Sequence, residues 1–371
     1  MKKNRTGCNN PRESPLIFQW HITDKCNLNC RHCYQDNGPV PDPEFPMLER
    51  TFRQYLDLLD KIKETGRWKP RGHINITGGE PLLRDDLFKL LNLISEADRR
   101  VSVGILTNGT LVDDKMAKNI GDTGVKFVQV SMEGGRKTHD CVRGQGNFNL
   151  VIEGIERLQG AGISTYVSFT AHRLNYMEFG DVAGTCRKLG VDCLWADRLI
   201  PCGRGRELAN STLSPAQTRT FFQNMKRARY NLSRGWGKKK TEIRMKRSLQ
   251  FLIGGGMPYR CSAGDRLITV MPDGTMYPCR RMPISVGNVA VESISDTYYN
   301  NEFMQALRDP ARVPDGCENC LHASACHGGS RCLANVVNGS PFTRDPGCWD
   351  AHFNSLESPV FDVGDVRCEV W

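Results

Sequence analysis

The sequence predicts an α/β protein: a partial (β/α)6 barrel followed by a cysteine-rich C-terminal domain. Three observations carry that expectation. From Leu16 to about Arg198, short apolar runs alternate with longer amphipathic ones, the pattern of a parallel sheet with helical crossovers. Polar or glycine-rich segments recur just after the apolar runs, where α/β barrels gather their chemistry. Beyond Gly254-Gly255-Gly256 the texture changes, and seven of the sixteen cysteines fall between Cys261 and Cys348.

The expected strands are Leu16–Ile22, His73–Thr77, Val101–Thr107, Phe127–Met132, Thr165–Phe169 and Cys193–Arg198. Helices are expected between them, at about 48–64, 85–97, 113–122, 147–159 and 176–189. The first carries Leu56, Leu58, Leu59 and Ile62 at helical intervals. Six strands with five helices fall short of the usual eight units, so the barrel is incomplete. Ser214-Pro215-Ala216-Gln217 starts another helix, with serine as N-cap, proline at the first position and glutamine closing a capping box. A basic helical stretch follows. Farther on, Leu267–Met271 and Thr275–Tyr277 flank Pro272-Asp273-Gly274, a hairpin turn. The expected division is an extension over 1–15, the barrel over 16–213, a basic bridge over 214–256, the cysteine-rich domain over 257–350 and a tail over 351–371.

The 371 residues suit one large domain and a smaller one. Mean hydropathy of -0.45 and 39% hydrophobic residues describe a globular chain with ample core. No run approaches the roughly 18–20 apolar residues of a membrane span, and the segment Met1 to Pro15 has no apolar signal core. A cytoplasmic, reducing location is the expectation. There, sixteen cysteines point to metal binding rather than to a disulfide framework. The scattered Cys8, Cys141, Cys186, Cys193, Cys202 and Cys368 read as small buried residues. Net charge is +9. The excess is concentrated in Lys226, Arg227, Arg229, Arg234, Lys238, Lys239, Lys240, Arg244, Lys246 and Arg247, opposed only by Glu242. Without an aromatic-interleaved or groove-reading motif, nucleic acid is a poor partner. The patch reads as a solvated helical face or a dock for an acidic peptide.

Cys26, Cys30 and Cys33 stand at C-x3-C-x2-C on the loop after the first strand. A closed zinc site wants four ligands, as does a cubane iron–sulfur cluster. Three thiolates therefore leave either a zinc site completed by His21, His32 or Cys8, or a cubane with one iron open to a non-protein ligand. The second arrangement resembles the radical S-adenosylmethionine superfamily, whose open iron chelates the amino acid end of the cofactor. Gly78-Gly79-Glu80-Pro81, at the end of the next strand, resembles the segment that holds the cofactor's amino group in that family. Glycine lets backbone approach a ligand closely, and a carboxylate suits an ammonium. By the same resemblance Ser131 and Arg143 reach the cofactor's carboxylate and ribose, arginine through its bidentate fork. Glu133 stands where many members have aspartate. Tyr34, Asn108 and Arg198, also at strand ends, complete the expected cofactor contacts.

Cys261, Gly274 and Cys279 give C-x12-G-x4-C, followed by Cys317-x2-Cys320-x5-Cys326, then Cys332 and Cys348. This resembles the SPASM domain, which carries two auxiliary 4Fe–4S clusters. The resemblance implies one cluster on Cys317, Cys320, Cys326 and Cys348, and another on Cys261, Cys279 and Cys332. Two departures stand out. The family usually has cysteine directly after the Gly-Gly pair, but here Ser330 follows Gly328-Gly329 and Cys332 is the replacement. The second cluster also lacks an obvious fourth protein ligand, with Cys202 and Cys368 as outlying candidates. In the branch that makes formylglycine in sulfatases, an aspartate base follows the second SPASM cysteine. Here Arg280-Arg281 follow Cys279, and Asp265 is the remaining weak candidate for a base.

The resemblance covers roughly residues 16–350. It implies an oxidoreductase with S-adenosylmethionine and three 4Fe–4S clusters, fed by a low-potential donor of flavodoxin or ferredoxin type. Reductive cleavage of the cofactor gives a 5′-deoxyadenosyl radical, which takes hydrogen from the substrate. The expected substrate is a peptide or protein, foremost a ribosomally made peptide receiving a thioether, carbon–carbon or related bond. Formylglycine formation, maturation of a small-molecule cofactor such as a tetrapyrrole or quinone, and a non-catalytic zinc adaptor are the alternatives. Met1 to Pro15 is too short for a leader-recognition domain, so that task falls to the basic region or to a separate protein.

Overall fold

The computed structural model describes residues 15–35, 40–66, 70–234 and 241–349. A ten-stranded sheet organises them, in the order β10-β9-β8-β1-β2-β3-β4-β5-β6-β7. Its first six strands are β1 (Leu16–His21), β2 (Gly72–Thr77), β3 (Val101–Thr107), β4 (Phe127–Ser131), β5 (Thr165–Ala171) and β6 (Cys193–Arg198). They pair in parallel, neighbour to neighbour, so all six carboxyl ends emerge at one rim. The connecting helices are α1 (Phe45–Glu64), α2 (Leu87–Ala97), α3 (Asp114–Asp122), α4 (Arg136–Arg143), α5 (Asn147–Gly160) and α6 (Phe179–Leu189). Buried positions alternate along the strands, as in Ile74 and Ile76 or Val128 and Val130. These meet apolar helix faces such as Leu48, Phe52, Tyr55, Leu59 and Ile62. All six expected strands form, within a residue or two of their expected limits. The helix α4 was not anticipated, because its eight residues bury only His139, Asp140 and Val142 and show no apolar period.

The sheet is wider than six strands at both edges. Ser214 starts α7 (Pro215–Arg234) with the expected capping box. Ser214 N donates to Gln217 Oε1 at 3.0 Å, and Gln217 N to Ser214 Oγ at 3.3 Å. The basic stretch is not all helix. Glu242–Arg244 forms β7, parallel to β6, with Ile243 buried, and a short turn α8 (Phe251–Gly254) follows. Lys238, Lys239 and Lys240 lie outside the described residues.

On the other edge, β8 (Leu267–Val270) pairs in parallel with β1. Then β9 (Thr275–Tyr277) and β10 (Gly287–Asn288) continue antiparallel. The Pro272-Asp273-Gly274 hairpin is present, yet it belongs to the barrel's own sheet. The C-terminal region continues as α9 (Ile294–Asn300), α10 (Glu302–Arg308), α11 (Ala323–Cys326) and α12 (Arg331–Asn338). No described helix is long and apolar enough to cross a membrane.

One ion pair clamps this region to the barrel rim. Arg198, the last residue of β6, donates from Nη1 to Asp345 Oδ1 at 2.8 Å, and Nη2 reaches Oδ2. Both side chains are almost wholly buried, at 3% and 0% exposure. The same carboxylate accepts from the backbone of Ser330 and of Gly347, each at 2.8 Å. Removing one partner of such a pair leaves a buried charge unanswered and costs about 3–5 kcal/mol. Asp345→Asn is therefore expected to lower the thermal unfolding midpoint clearly, whereas Asp114→Asn, exposed on α3, leaves it in place. Equal midpoints for the two variants would show that the clamp carries no weight.

Candidate functional site

The loop after β1 holds Cys26, Cys30 and Cys33, and the strand-end segment of β2 fixes its path. Gly79 N donates to Thr23 O at 2.8 Å, and Glu80 N to Lys25 O at 2.8 Å. A Cβ on Gly78 would stand 2.3 Å from Thr23 O, and one on Gly79 would stand 2.2 Å from Lys25 O. The glycines are thus required by the cysteine loop itself. The close approach that glycine permits is used here by the backbone of Thr23 and Lys25. Asn108, after β3, braces the same loop: Nδ2 donates to Asn27 Oδ1 at 2.9 Å, while Asn27 donates to Thr110 at 2.9 Å.

Glu80 is wholly buried. Oε1 accepts from Leu82 N at 3.1 Å and from Thr107 Oγ1 at 2.8 Å, and Oε2 accepts from Asn108 N at 2.8 Å. No cation pairs with it among the described residues. Burial pushes its pKa up to about 7 despite those three hydrogen bonds. A buried carboxylate so poised suits a cationic ligand such as an ammonium.

Arg143 and Glu133 form a second buried group beside Cys30. Arg143 Nη2 lies 2.6 Å from Glu133 Oε1, and Nη1 lies 3.8 Å from Cys30 Sγ. His32 Nε2 stands 3.2 Å from Glu133 Oε1, and Thr170 N donates to Oε2 at 2.8 Å. Burial works against the Glu133 charge, but Arg143 and His32 override it and hold the carboxyl well below its usual range. Arg143, expected on a cofactor carboxylate, already has a protein carboxylate as partner and serves the loop through Cys30. Ser131 ends β4 opposite Ser168 of β5. Tyr34 lies beneath the Arg280 guanidinium, 4.8 Å from its ring centre.

Two expected residues stand elsewhere. The Arg198 guanidinium is taken up by Asp345. Asp265 sits in the turn before β8, its carbonyl accepting from Tyr298 Oη at 2.9 Å, away from the three-cysteine loop.

The C-terminal cysteines gather into two groups. Cys317, Cys320, Cys326 and Cys348 line one small cavity, with Gly328 and Leu249 in its wall. Cys261 and Cys279 both hydrogen-bond with Cys332, which lowers the first two thiols to about 7 and about 6 and raises Cys332. Cys202 packs into the same buried cluster; Cys368 lies outside the described residues. Ser330 caps α12, accepting from Leu333 N, and Cys332 follows on the helix's first turn. That explains how a ligand two residues late still meets Cys261 and Cys279. Among the described residues no three His, Cys, Asp or Glu side chains converge as tightly as ligands of a single ion. Cubane thiolates stand one to an iron, farther apart, and the all-thiol donor sets fit that group. Cys186, Cys193 and Cys202 are buried and outside any disulfide, as expected, but Cys141 is disulfide-bonded.

Comparison with known proteins agrees with this geometry. Residues 20–186 match the radical SAM superfamily, and residues 261–321 match the iron–sulfur cluster-binding SPASM domain. The chain therefore carries a radical SAM domain and a SPASM domain. It is 28% identical to an AdoMet-dependent heme synthase of Methanosarcina barkeri, over 90% of this chain and 96% of the relative. It is 27% identical to the mycofactocin maturase of Mycolicibacterium smegmatis, over 91% and 83%. The fold resembles that of Streptococcus suis SuiB bound to its precursor peptide SuiA, with a TM-score of 0.70 and 17% identity, over 89% and 75%.

Sequence reasoning missed Asp345, Asn27 and the Glu133–His32 contact. Glu133 and His32 lay inside segments already singled out, and an acid facing a base was the available signal. Asp345 stands in Arg344-Asp345-Pro346-Gly347, where no local pattern names a distant partner.

The four-cysteine cavity yields a direct test. Cys348→Ala takes one thiolate from a four-iron site, so iron in the reconstituted protein should fall by up to about four per chain. Cys193→Ala, a buried thiol on β6, should retain the full complement. Equal iron in both variants would remove Cys348 from the ligand set.

Proposed function

We propose that this protein generates a 5′-deoxyadenosyl radical and uses it to oxidise a ribosomally made peptide. The observation that carries the radical chemistry is the three-cysteine loop pinned beside Glu80, a buried carboxylate without a cation partner among the described residues. When bound, S-adenosylmethionine at a 4Fe–4S cluster supplies the radical. Cys26, Cys30 and Cys33 would hold that cluster; Glu80 would take the cofactor's ammonium. Thr107, Asn108 and the backbone of Leu82 keep Glu80 in place. Arg143, Glu133 and His32 stabilise the Cys30 side of the loop and exclude water from it. The two C-terminal cysteine groups would carry auxiliary clusters that take up an electron from the substrate, and a flavodoxin or ferredoxin would feed the first cluster.

The peptide reading is supported by the likeness to mycofactocin maturase along nearly the whole chain. Formylglycine formation is disfavoured by Arg280, since a guanidinium cannot serve as the base that an aspartate would. A second reading, oxidation of a tetrapyrrole, is favoured by the heme synthase, which the chain matches over 96% of that protein's length. Turnover with a short peptide encoded beside this chain, followed by mass spectrometry, separates the two. A mass loss on the peptide supports the first reading. An unchanged peptide together with a modified coproporphyrin supports the second.

Glu80 gives a pH test with a definite sign. Its folded pKa, near 7, lies above the usual carboxylate value, so the cofactor-free protein takes up a proton there as pH falls. The ammonium then loses its counter-charge. Cofactor affinity should weaken as pH drops from 8 to 6, approaching tenfold per unit below 7. Glu80→Gln should bind weakly with a flat profile, and identical profiles would defeat the assignment.

A further inference from the structure

Buried guanidinium groups recur around the cysteines, and most have an answer within the protein. Arg143 and Arg198 pair with Glu133 and Asp345. Arg281 donates to Asp197 at 2.7 Å. Arg204 and Arg331 also have nitrogens enclosed without an acceptor, but their charges act on the thiols of Cys30 and Cys261. Arg280 has no such answer from a cysteine or a carboxylate among the described residues. It is 5% exposed, its Nε is enclosed without an acceptor, and no described carboxylate stands in ion-pair range of it. Its guanidinium lies over the Tyr34 ring at 4.8 Å. His21, 6.2 Å from Tyr34 and edge-on to it, is fully buried with neither ring nitrogen partnered. Asp24 is the nearest competitor for the charge, but its Oδ1 accepts from Gln35 at 3.1 Å.

A buried cation without a counter-ion is costly to hold, and the unpartnered nitrogens of Arg280 and His21 on either side of Tyr34 point to a missing ligand. The location is specific. Tyr34 follows Cys33 and Arg280 follows Cys279, so the trio stands where the two cysteine constellations face each other. A guanidinium presents a planar fork that matches a carboxylate. Burial, then the charge of Arg280, keeps His21 neutral, so the pocket offers one positive charge and suits a singly charged anion better than a phosphate.

We propose that Arg280, flanked by Tyr34 and His21, receives a carboxylate of the substrate and anchors it between the two cysteine centres. This rests on the radical-enzyme reading above, and it adds what the substrate must carry. A peptide could supply its C-terminal or side-chain carboxylate, and a tetrapyrrole a propionate. Arg280 is then a specificity-determining residue in the position where a sulfatase-maturing enzyme has its base.

The test uses the reconstituted holoprotein with saturating S-adenosylmethionine and no reductant, which keeps the cofactor's own carboxylate site filled. Equilibrium dialysis with labelled propionate, against propionamide as the neutral isostere, reads the pocket directly. Wild type should prefer propionate by tenfold or more. Arg280→Gln should lose that preference, and Arg280→Lys, which keeps the charge without the fork, should retain part of it. If Arg280→Gln fails to hold iron, the lysine variant and the propionamide control still decide. Equal binding of the two probes by wild type, or a preference that survives in Arg280→Gln, would overturn the proposal. So would propionate binding that appears only when S-adenosylmethionine is left out, because the pocket would then belong to the cofactor. Displacement of propionate by glycyl-tyrosine or by coproporphyrin III identifies the carboxylate's source. Formation of 5′-deoxyadenosine on adding dithionite is scored separately, so a failure of the radical reading is distinguishable from a failure of the carboxylate pocket.

Discussion

Two backbone hydrogen bonds, from Gly79 to Thr23 and from Glu80 to Lys25, are the constraint on which the rest of the site depends. An eight-residue span bearing three cysteines would otherwise sample many conformations, and ordering it costs about 1–2 kcal/mol per residue in backbone entropy alone. The end of β2 supplies a template instead. Because neither Gly78 nor Gly79 has a Cβ, the two chains approach closely enough to bond. The same contact fixes where Glu80 points, so the loop and the buried carboxylate are placed by one feature. Asn108 and Asn27 extend the bracing to the end of β3.

Charge is handled in the same economical manner. Glu133, Arg143 and His32 form a buried group whose members satisfy one another, and Arg143 has a remaining donor for Cys30. Asp345 does the corresponding work for the C-terminal region. It joins the end of β6, the start of α12 and the turn that carries Cys348. The two cysteine constellations are therefore connected through β6 and through the continuous sheet that β8 extends from β1. Buried networks of this kind carry weight only when every member is satisfied. That makes Arg280, between them and without a carboxylate partner among the described residues, a place that calls for a ligand.

Much of this was legible in the sequence because it is written in local period and spacing. The six strands alternate clearly, the capping box at Ser214 follows from four residues, and the cysteine spacings sort the thiols into sets that the structure brings together. The rest depends on distant partners. β7 is three residues of a basic stretch, recruited as a strand because Ile243 finds cover next to β6. β8 reads as part of a separate domain until its pairing with β1 is seen. Arg143 was expected on a cofactor because an arginine fork suits a carboxylate, and Arg198 because it ends a strand; both bind carboxylates of the protein, those of Glu133 and Asp345. Residue type revealed the chemistry but could not reveal which partner, 147 residues away in one case, would claim it.

The central claim is that Cys26, Cys30 and Cys33 hold a cluster with one iron left open to S-adenosylmethionine, while the C-terminal cysteines hold clusters that the cofactor does not touch. Mössbauer spectroscopy of the protein reconstituted with 57Fe, recorded with and without S-adenosylmethionine, tests this most directly. The account predicts that adding the cofactor shifts the signal of a single iron site, and that the shift disappears when Cys30 is replaced by alanine. A spectrum indifferent to the cofactor in an iron-replete protein would contradict it.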